Sequence, residues 1–579
     1  MQNNAAPDDV EVDEKILLLQ RELAREWGID LRRIRLVLNQ LADGNWHSTD
    51  ELVQRNALSH RSVTHLLRRL EPWCENDGER VQIQTEFRAA FVLAFDCVSA
   101  AGSIPADPWE QAARSSPMLA SMTNLLQGLP RPVRHLDHVS ATPLTCIKRA
   151  LFLGEAYHLS GAAILCLGDH DLTCLALCLL YPDLDVTVVD IDEDILEYIG
   201  SVAQRHGWNI RCVFADLRVE LPRSLSACFD LVFTDPPYTS EGIKLFLKRG
   251  LGSLKQNDFE RIVLCYGSSE NHPSHGYKVQ SVVHDLRLLN EAILPDFNRY
   301  DGAAAIGSSS DLYICRPTRR SWAAAEAARV DAHIYTQGKN AREAEAETLS
   351  SETREKIAAY ATEYASTELK FVGEGWTEGV HSTSLSLSGY LHTMNTPQGK
   401  PPFTKTPHSG TVVVNLLPNC AAYLVRLLLI AEAQYLIVCV ADKTFHALFV
   451  ADRRESLKTL LENKYRIAAS IRGHGARPAV AVFQQVAPAA TAALQYVLRY
   501  LIDHRHARLG SAWREALISW STTQNEYRLT KNQARQLIGQ TPLASSVQSY
   551  LAELPLPALE NLASQVEHTI QGATALKEI

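Results

Sequence analysis

The sequence predicts an α/β fold. A Rossmann-like, doubly wound sheet lies at its centre, a winged helix precedes it, and an α/β two-layer domain with a helical tail follows. Two observations carry the central assignment. Short apolar runs alternate with helical segments through residues 131–318. Three of those runs end in acidic tips: Gly168-Asp169-His170-Asp171, Val188-Val189-Asp190-Ile191-Asp192 and Asp235-Pro236-Pro237-Tyr238-Thr239. Open α/β sheets bind ligands in the crevice beyond the carboxyl ends of their strands. Carboxylates there point to a nucleotide-type cofactor held beside a strongly cationic substrate.

In chain order, residues 1–98 are expected to form a winged-helix domain with a leader. Leu31–Leu41 has helical periodicity, Ser48-Thr49-Asp50-Glu51 is a capping-box start, and Ser59–Leu70 supplies a third helix bearing Arg61, His65, Arg68 and Arg69. Asn76-Asp77-Gly78 is a hairpin turn that would make the wing. Such a unit either sets Arg61 and His65 against a DNA groove or serves protein interaction. The surrounding acidic residues and the lack of a basic tail favour interaction. Residues 99–130 read as a linker with a short helix. Within 131–318, strands are expected at 163–167, 185–190, 211–214, 229–234 and 261–265. Residues 319–365, rich in Ala, Glu and Arg, read as an exposed helical linker. In 366–579, strands are expected at Thr411–Leu417, Tyr435–Val440, Ala447–Val450 and Ala479–Phe483, with helices at Ala421–Glu432 and Glu455–Glu462. The chain beyond about Ala489 is mainly helical. No internal repeat is visible in the sequence.

The 579-residue chain has a net charge of −9, 46% hydrophobic and 21% charged residues. That balance is ordinary for globular domains, argues against a mainly nucleic-acid-binding protein and suits a positive small-molecule partner. The acidic start (Asp8, Asp9, Glu11, Asp13, Glu14) does not read as a signal peptide. The apolar stretch near Tyr423–Ala441 is broken by Arg426 and Glu432, so it reads as core, not as a membrane span. Twelve cysteines without a CxxC pair signal neither zinc nor disulfides. Cys174 and Cys178 read as core thiols. A cytoplasmic setting is expected. The scattered histidines His381, His392, His474, His504 and His506 lack metal-site spacing, so no metal is expected.

Each acidic tip admits two readings. Asp190 stands roughly twenty residues after Gly168, where such folds hold ribose hydroxyls; it also precedes a helix it could cap. Asp216 follows the next strand as an acceptor for an adenine amino group or as a turn residue. Asp235 is held by two prolines, so its carboxylate or the Pro236 carbonyl can receive a nucleophilic amine while Tyr238 packs on a cation. The bland reading of that segment is a surface turn. The first turn keeps only Gly168 of a glycine-rich loop, and its aspartates would repel the carboxylate of S-adenosylmethionine. The decarboxylated form, which carries only ammonium and sulfonium there, would be attracted.

These motifs, with Asp137-His138-Val139-Ser140-Ala141-Thr142-Pro143, Asp216-Leu217-Arg218, Pro295-Asp296-Phe297-Asn298-Arg299-Tyr300 and Ser310-Asp311-Leu312-Tyr313, resemble the branched-chain polyamine synthase (bis(aminopropyl)spermidine synthase) family. The resemblance covers about residues 30–318. It implies aminopropyl transfer from decarboxylated S-adenosylmethionine to an amine of a polyamine or related acceptor, with release of methylthioadenosine. It also implies a homodimer. On it, Asp169, Asp171, Asp235 and His170 fall at catalytic positions. Gly168, Asp190, Asp216 and Pro236 fall on the donor, and Asp137 and Tyr238 on the acceptor. Two departures stand out. His170 replaces the middle carboxylate of the family's G-D-D-D turn with a group that titrates near neutrality, either as a base or as a plain replacement. His138 replaces a glutamine. Two other readings stay open: an S-adenosylmethionine-dependent amino methyltransferase, since Asp-Pro-Pro-Tyr also marks such enzymes, and a non-catalytic, polyamine-responsive DNA-binding regulator.

Overall fold

Apolar runs in the middle of the chain are buried on both sides, as strands of a sheet covered on both faces must be. The computed structural model describes residues 14–97, 107–330, 333–336, 349–364, 369–373, 376, 384–394, 410–417, 420–449, 455–473, 478–486, 492–523 and 528–576. Its central sheet comprises β4 (Ala163–Leu167), β5 (Asp185–Asp190), β6 (Ile210–Phe214), β7 (Leu231–Thr234), β8 (Arg261–Tyr266), β9 (Leu288–Arg299) and β10 (Ser309–Pro317), in the order β6-β5-β4-β7-β8-β10-β9. The strands β6 to β8 run parallel, and β10 is antiparallel to both β8 and β9. Along β4, Ile164 and Cys166 face one apolar core while Leu165 and Leu167 face another. The chain turns to β5 on one side of β4 and to β7 on the other, so the strand order reverses there and opens a crevice. The five expected strands are present; the β9–β10 hairpin was not anticipated.

Before this sheet lie helices Glu14–Trp27, Leu31–Leu41, Thr49–Asn56 and His60–Leu70 and a small sheet of β1 (His47–Ser48), β2 (Cys74–Asn76) and β3 (Arg80–Ile83). The capping box forms: Ser48 accepts from the Glu51 amide while the Glu51 carboxylate accepts from the Ser48 amide. The expected turn at Asn76–Gly78 joins β2 to β3, with Gly78 at φ +100°. The groove-facing placement of His65 is not what forms. His65 pairs with Glu26 at 2.7 Å, and Arg69 pairs with Glu22 and Glu26, so the Glu14–Trp27 helix neutralises that face. The expected linker at 99–130 instead holds two helices, Pro108–Ser115 and Met118–Gln127, anchored by buried Ala113 and Met122.

The C-terminal sheet comprises β11 (Leu369–Val372), β12 (Ser384–Leu385), β13 (Thr411–Asn415), β14 (Tyr435–Val440), β15 (Tyr465–Ile471) and β16 (Ala479–Gln485), in the order β12-β11-β13-β14-β16-β15. Three expectations are corrected. The domain is not two-layered: Val412 and Val414 face one core, Val413 the other. The helix Ser351–Thr362 is no exposed linker, because Ile357 and Ala361 pack under this sheet. Residues 447–449 belong to a helix, Asp442–Phe449, not a strand; Val450 lies outside the described residues. So do His381, His474 and the Ala341–Ala346 tract. Among the described residues no helix is long and apolar enough to cross a membrane, and no cluster of three metal-ligating side chains occurs.

Candidate active site

A cavity of about 930 Å³ opens at the carboxyl ends of β4, β5 and β7. Seven aspartates line it: Asp137, Asp169, Asp171, Asp190, Asp216, Asp235 and Asp301. Their oxygens are mostly committed, and the commitments define what each can do.

The organiser is a residue that sequence reasoning missed. Arg149 lies in the helix Pro143–Ala156 and is fully buried. Its guanidinium donates from Nη1 to Asp171 Oδ2 at 2.8 Å, from Nη2 to Asp235 Oδ2 at 2.7 Å and from Nε to Asn298 at 2.8 Å. A buried cation without partners would be prohibitive, and its planar fork suits several acceptors at once. The signal was present: Lys148 and Arg149 interrupt an otherwise apolar helix, and buried charges need partners. Asp171 is completed by the Ala141 amide at 2.7 Å, which ties the first turn to the segment before the Arg149 helix.

Asp235 sits just past β7. Oδ2 accepts from Arg149 and from the Tyr300 hydroxyl at 2.7 Å, and Oδ1 accepts from Tyr238 at 3.0 Å. Burial pushes this carboxyl up to about 6, against the pull of Arg149. Pro236 and Tyr238 line the cavity beside it. Tyr300, from the end of β9, is a second site residue whose role the motif reading left unassigned. It contacts Tyr238, Ser310 and Arg149 as well.

Gly168 turns the chain out of β4 at φ +68°, a conformation that favours glycine. Asp169 then accepts from the amides of Thr173 and Cys174, capping the helix Thr173–Leu180, and burial pushes its carboxyl up to about 7. Asp190 accepts from the amides of Asp169 and Asp192; burial lifts it to about 6. The helix that follows is capped by Asp192, not by Asp190.

Three expected residues are placed otherwise than foreseen. His170 stacks on His138 at 4.3 Å between ring centroids, and burial depresses the two imidazoles to about 4 and about 3. Both are neutral near pH 7, so His170 is a poor general base, and the 3.7 Å approach of His138 to Asp192 is not an ion pair. Their Nδ1 atoms are buried without hydrogen-bond partners among the described residues. Asp216 is gripped by Arg218 through both oxygens, at 2.7 and 2.9 Å, which competes with an adenine amino group. Asp137 receives the amide and hydroxyl of Thr336, at 2.7 and 2.6 Å, so a strap of residues 334–336 closes over that flank.

Chemically, the cavity offers carboxylate held at fixed positions, hydroxyls around Asp235, and neutral imidazoles. Such a lining can hold a cation, and the Asp235 carboxylate can accept a proton. Comparison with known proteins gives the following likenesses. Residues 118–356 match the family described as branched-chain polyamine synthase A C-terminal domain. An uncharacterized protein of Methanocaldococcus jannaschii is 36% identical over 176 residues, covering 30% of this chain and 44% of that protein. The N(4)-bis(aminopropyl)spermidine synthase of the same organism is 31% identical over 187 residues, covering 32% of this chain and 53% of that protein. The chain therefore spans about half the length, or less, of these curated relatives. The solved branched-chain polyamine synthase of Thermus thermophilus, in complex with N4-aminopropylspermidine and 5'-methylthioadenosine, is 18% identical with a TM-score of 0.38, covering 57% of this chain and 98% of that one; a likeness this loose places no ligand here. Over residues 118–356 the chain is thus similar to the branched-chain polyamine synthase family.

Proposed function

We propose that this protein is an aminopropyltransferase that moves the aminopropyl group of decarboxylated S-adenosylmethionine to an amine of a polyamine or related acceptor and releases methylthioadenosine. The observation that carries the reading is the set of aspartates converging on one cavity around Arg149. The names of the curated relatives support it.

The reaction needs little from the protein beyond alignment, because a sulfonium is already an activated leaving group. The amine nitrogen forms a bond to the carbon attached to sulfur. The carbon–sulfur bond breaks, and its electron pair stays on sulfur as a neutral thioether. The attacking amine must lose a proton, and Asp235 takes it, directly or through water. Arg149 and Tyr300 occupy Oδ2, so Oδ1 faces the amine, with Tyr238 beside it. Asp171 is neutralised by Arg149 and serves the site by fixing Asp235. Asp169 and Asp190 line the donor side, and the stacked His138 and His170 give the cavity a neutral imidazole wall. Replacing one family carboxylate with a neutral imidazole fits an acceptor less cationic than spermidine, or differently shaped.

The test is mass spectrometry of products from spermidine and shorter amines, with decarboxylated and ordinary S-adenosylmethionine as parallel donors. An aminopropyl mass increment with methylthioadenosine release, from the decarboxylated donor alone, is expected. Methyl transfer from the ordinary donor would replace this reading with an amino methyltransferase.

A further inference from the structure

The C-terminal sheet repeats six of the seven strands of the central one, with no counterpart of β6 among the described residues. In the central sheet, the second, first, fourth and fifth strands lie side by side and parallel, followed by the antiparallel seventh and sixth: β5-β4-β7-β8-β10-β9. The C-terminal order β12-β11-β13-β14-β16-β15 has the same sequence of neighbours, with β12, β11, β13 and β14 parallel and the β15–β16 hairpin antiparallel. A helix precedes the first strand in both: Pro143–Ala156 and Ser351–Thr362. The likeness extends to one backbone bond. Gly168, at φ +68° after β4, donates to Val189 on β5 at 2.9 Å; Gly373, at φ +96° after β11, donates to Leu385 on β12 at 2.9 Å. Register then pairs the acidic tips with their counterparts. Asp190 corresponds to Ser386 and Asp235 to Asn415, each one residue beyond the matched strand position. The second copy has lost both carboxylates.

Its contact with the first copy falls on the donor side of the cavity. Tyr423 accepts from the Asp216 amide at 3.1 Å and packs edge-on against Phe214, at 5.6 Å between ring centroids. Arg426 stacks on the Phe214 ring at 3.5 Å and pairs with Glu193 at 2.9 Å. Glu193 begins the helix directly after Asp190-Ile191-Asp192. The two loops that line the nucleoside side of the cavity are thus tied to the other unit, by Tyr423 at Asp216 and by Arg426 and the Leu556 amide at Glu193.

We propose that the C-terminal unit is a second copy of the catalytic fold that has lost its acidic tips and now holds the nucleoside pocket of the first, with Tyr423 and Arg426 as positioning residues. The inference rests on the reading of this cavity as a donor-nucleoside site. Tyr423→Phe removes one acceptor and keeps the ring; Arg426→Lys keeps the charge and loses the planar contact.

Calorimetric titration of the full chain with methylthioadenosine should show binding about fivefold weaker in each variant. The donor KM should rise in step, while the acceptor KM and kcat hold. Donor affinity unchanged from the wild type in both variants would overturn the proposal, as would a loss shared equally by donor and acceptor. Hydrogen exchange at Asp216 separates the two levels of inference. Faster exchange of that amide in Tyr423→Phe is expected whether or not a nucleoside binds, and unchanged exchange refutes the positioning role. A wild-type chain that binds neither methylthioadenosine nor decarboxylated S-adenosylmethionine would sink the donor-site reading itself.

Discussion

At the scale of single residues, the site is a charge balance. Arg149 sits between Asp171 and Asp235, and removing it leaves two buried carboxylates unpaired. Arg149→Met should therefore destabilise the protein by about 3–5 kcal/mol in urea unfolding. Asp235 must be ionised to take a proton. Burial has raised its carboxyl to about 6, so the group is protonated, and unable to accept, below that pH. The kcat/KM profile should fall on the acid side near pH 6. Asp235→Asn should lower kcat by about 10²–10⁴ and erase that limb. The linkage to stability has the opposite sense. Asp169, Asp190 and Asp235 all have folded-state pKa values above the ordinary carboxylate, so the native state holds their protons longer than the unfolded chain. Their contribution to stability declines as pH rises from about 4 to about 7, which unfolding curves at matched ionic strength would register.

At the scale of elements, the site depends on how the N-terminal unit docks. Glu270 accepts from the Ser59 amide at 3.0 Å and the Ser62 hydroxyl at 2.6 Å, at the start of the His60–Leu70 helix. Gln54 donates to the Tyr300 carbonyl at 2.7 Å, joining that unit to the Asp235 network. Glu270→Ala strands a buried amide and hydroxyl, at about 1–3 kcal/mol. Limited proteolysis should then cut faster between the two units, with activity lowered but not lost. The strands that motifs mark were legible because continuous apolar runs ending at Gly or Asp read as buried parallel strands. The β9–β10 hairpin was not, because β9 lies along an outer edge, is only half-buried or exposed through most of its length, and breaks its apolar residues with Asn290, Glu291, Pro295 and Asp296.

At the scale of the molecule, the units share one core. The apolar cluster that includes Ile164 and Val186 of the central sheet also includes Val412, Leu436 and Trp513. Strand β6 is an edge of its sheet, and Arg211 on it pairs with Glu553 at 2.9 Å. An uncovered edge beside exposed apolar surface is an aggregation hazard. A chain ending at residue 330 should accordingly aggregate, as light scattering would show. With a polyamine as acceptor, as proposed, the acidic cavity attracts it electrostatically. The acceptor KM should rise several-fold between low salt and about 0.5 M as the carboxylates are screened, with a smaller change for the donor.

The sequence by itself determined the central α/β sheet, its acidic strand tips and the resemblance to a polyamine synthase family. These follow from local patterns: apolar periodicity, a glycine at a turn, prolines fixing Asp235. Tertiary structure decided what each carboxylate is free to do. Asp169 and Asp216 are spent on a helix cap and on Arg218, and His170 is neutralised by burial against His138. It alone revealed Arg149 as the centre of the network and the strand order of the central sheet recurring in the C-terminal one. Desolvation and partner choice arise between segments distant in the chain, and a strand order can repeat after the side chains that marked it have changed.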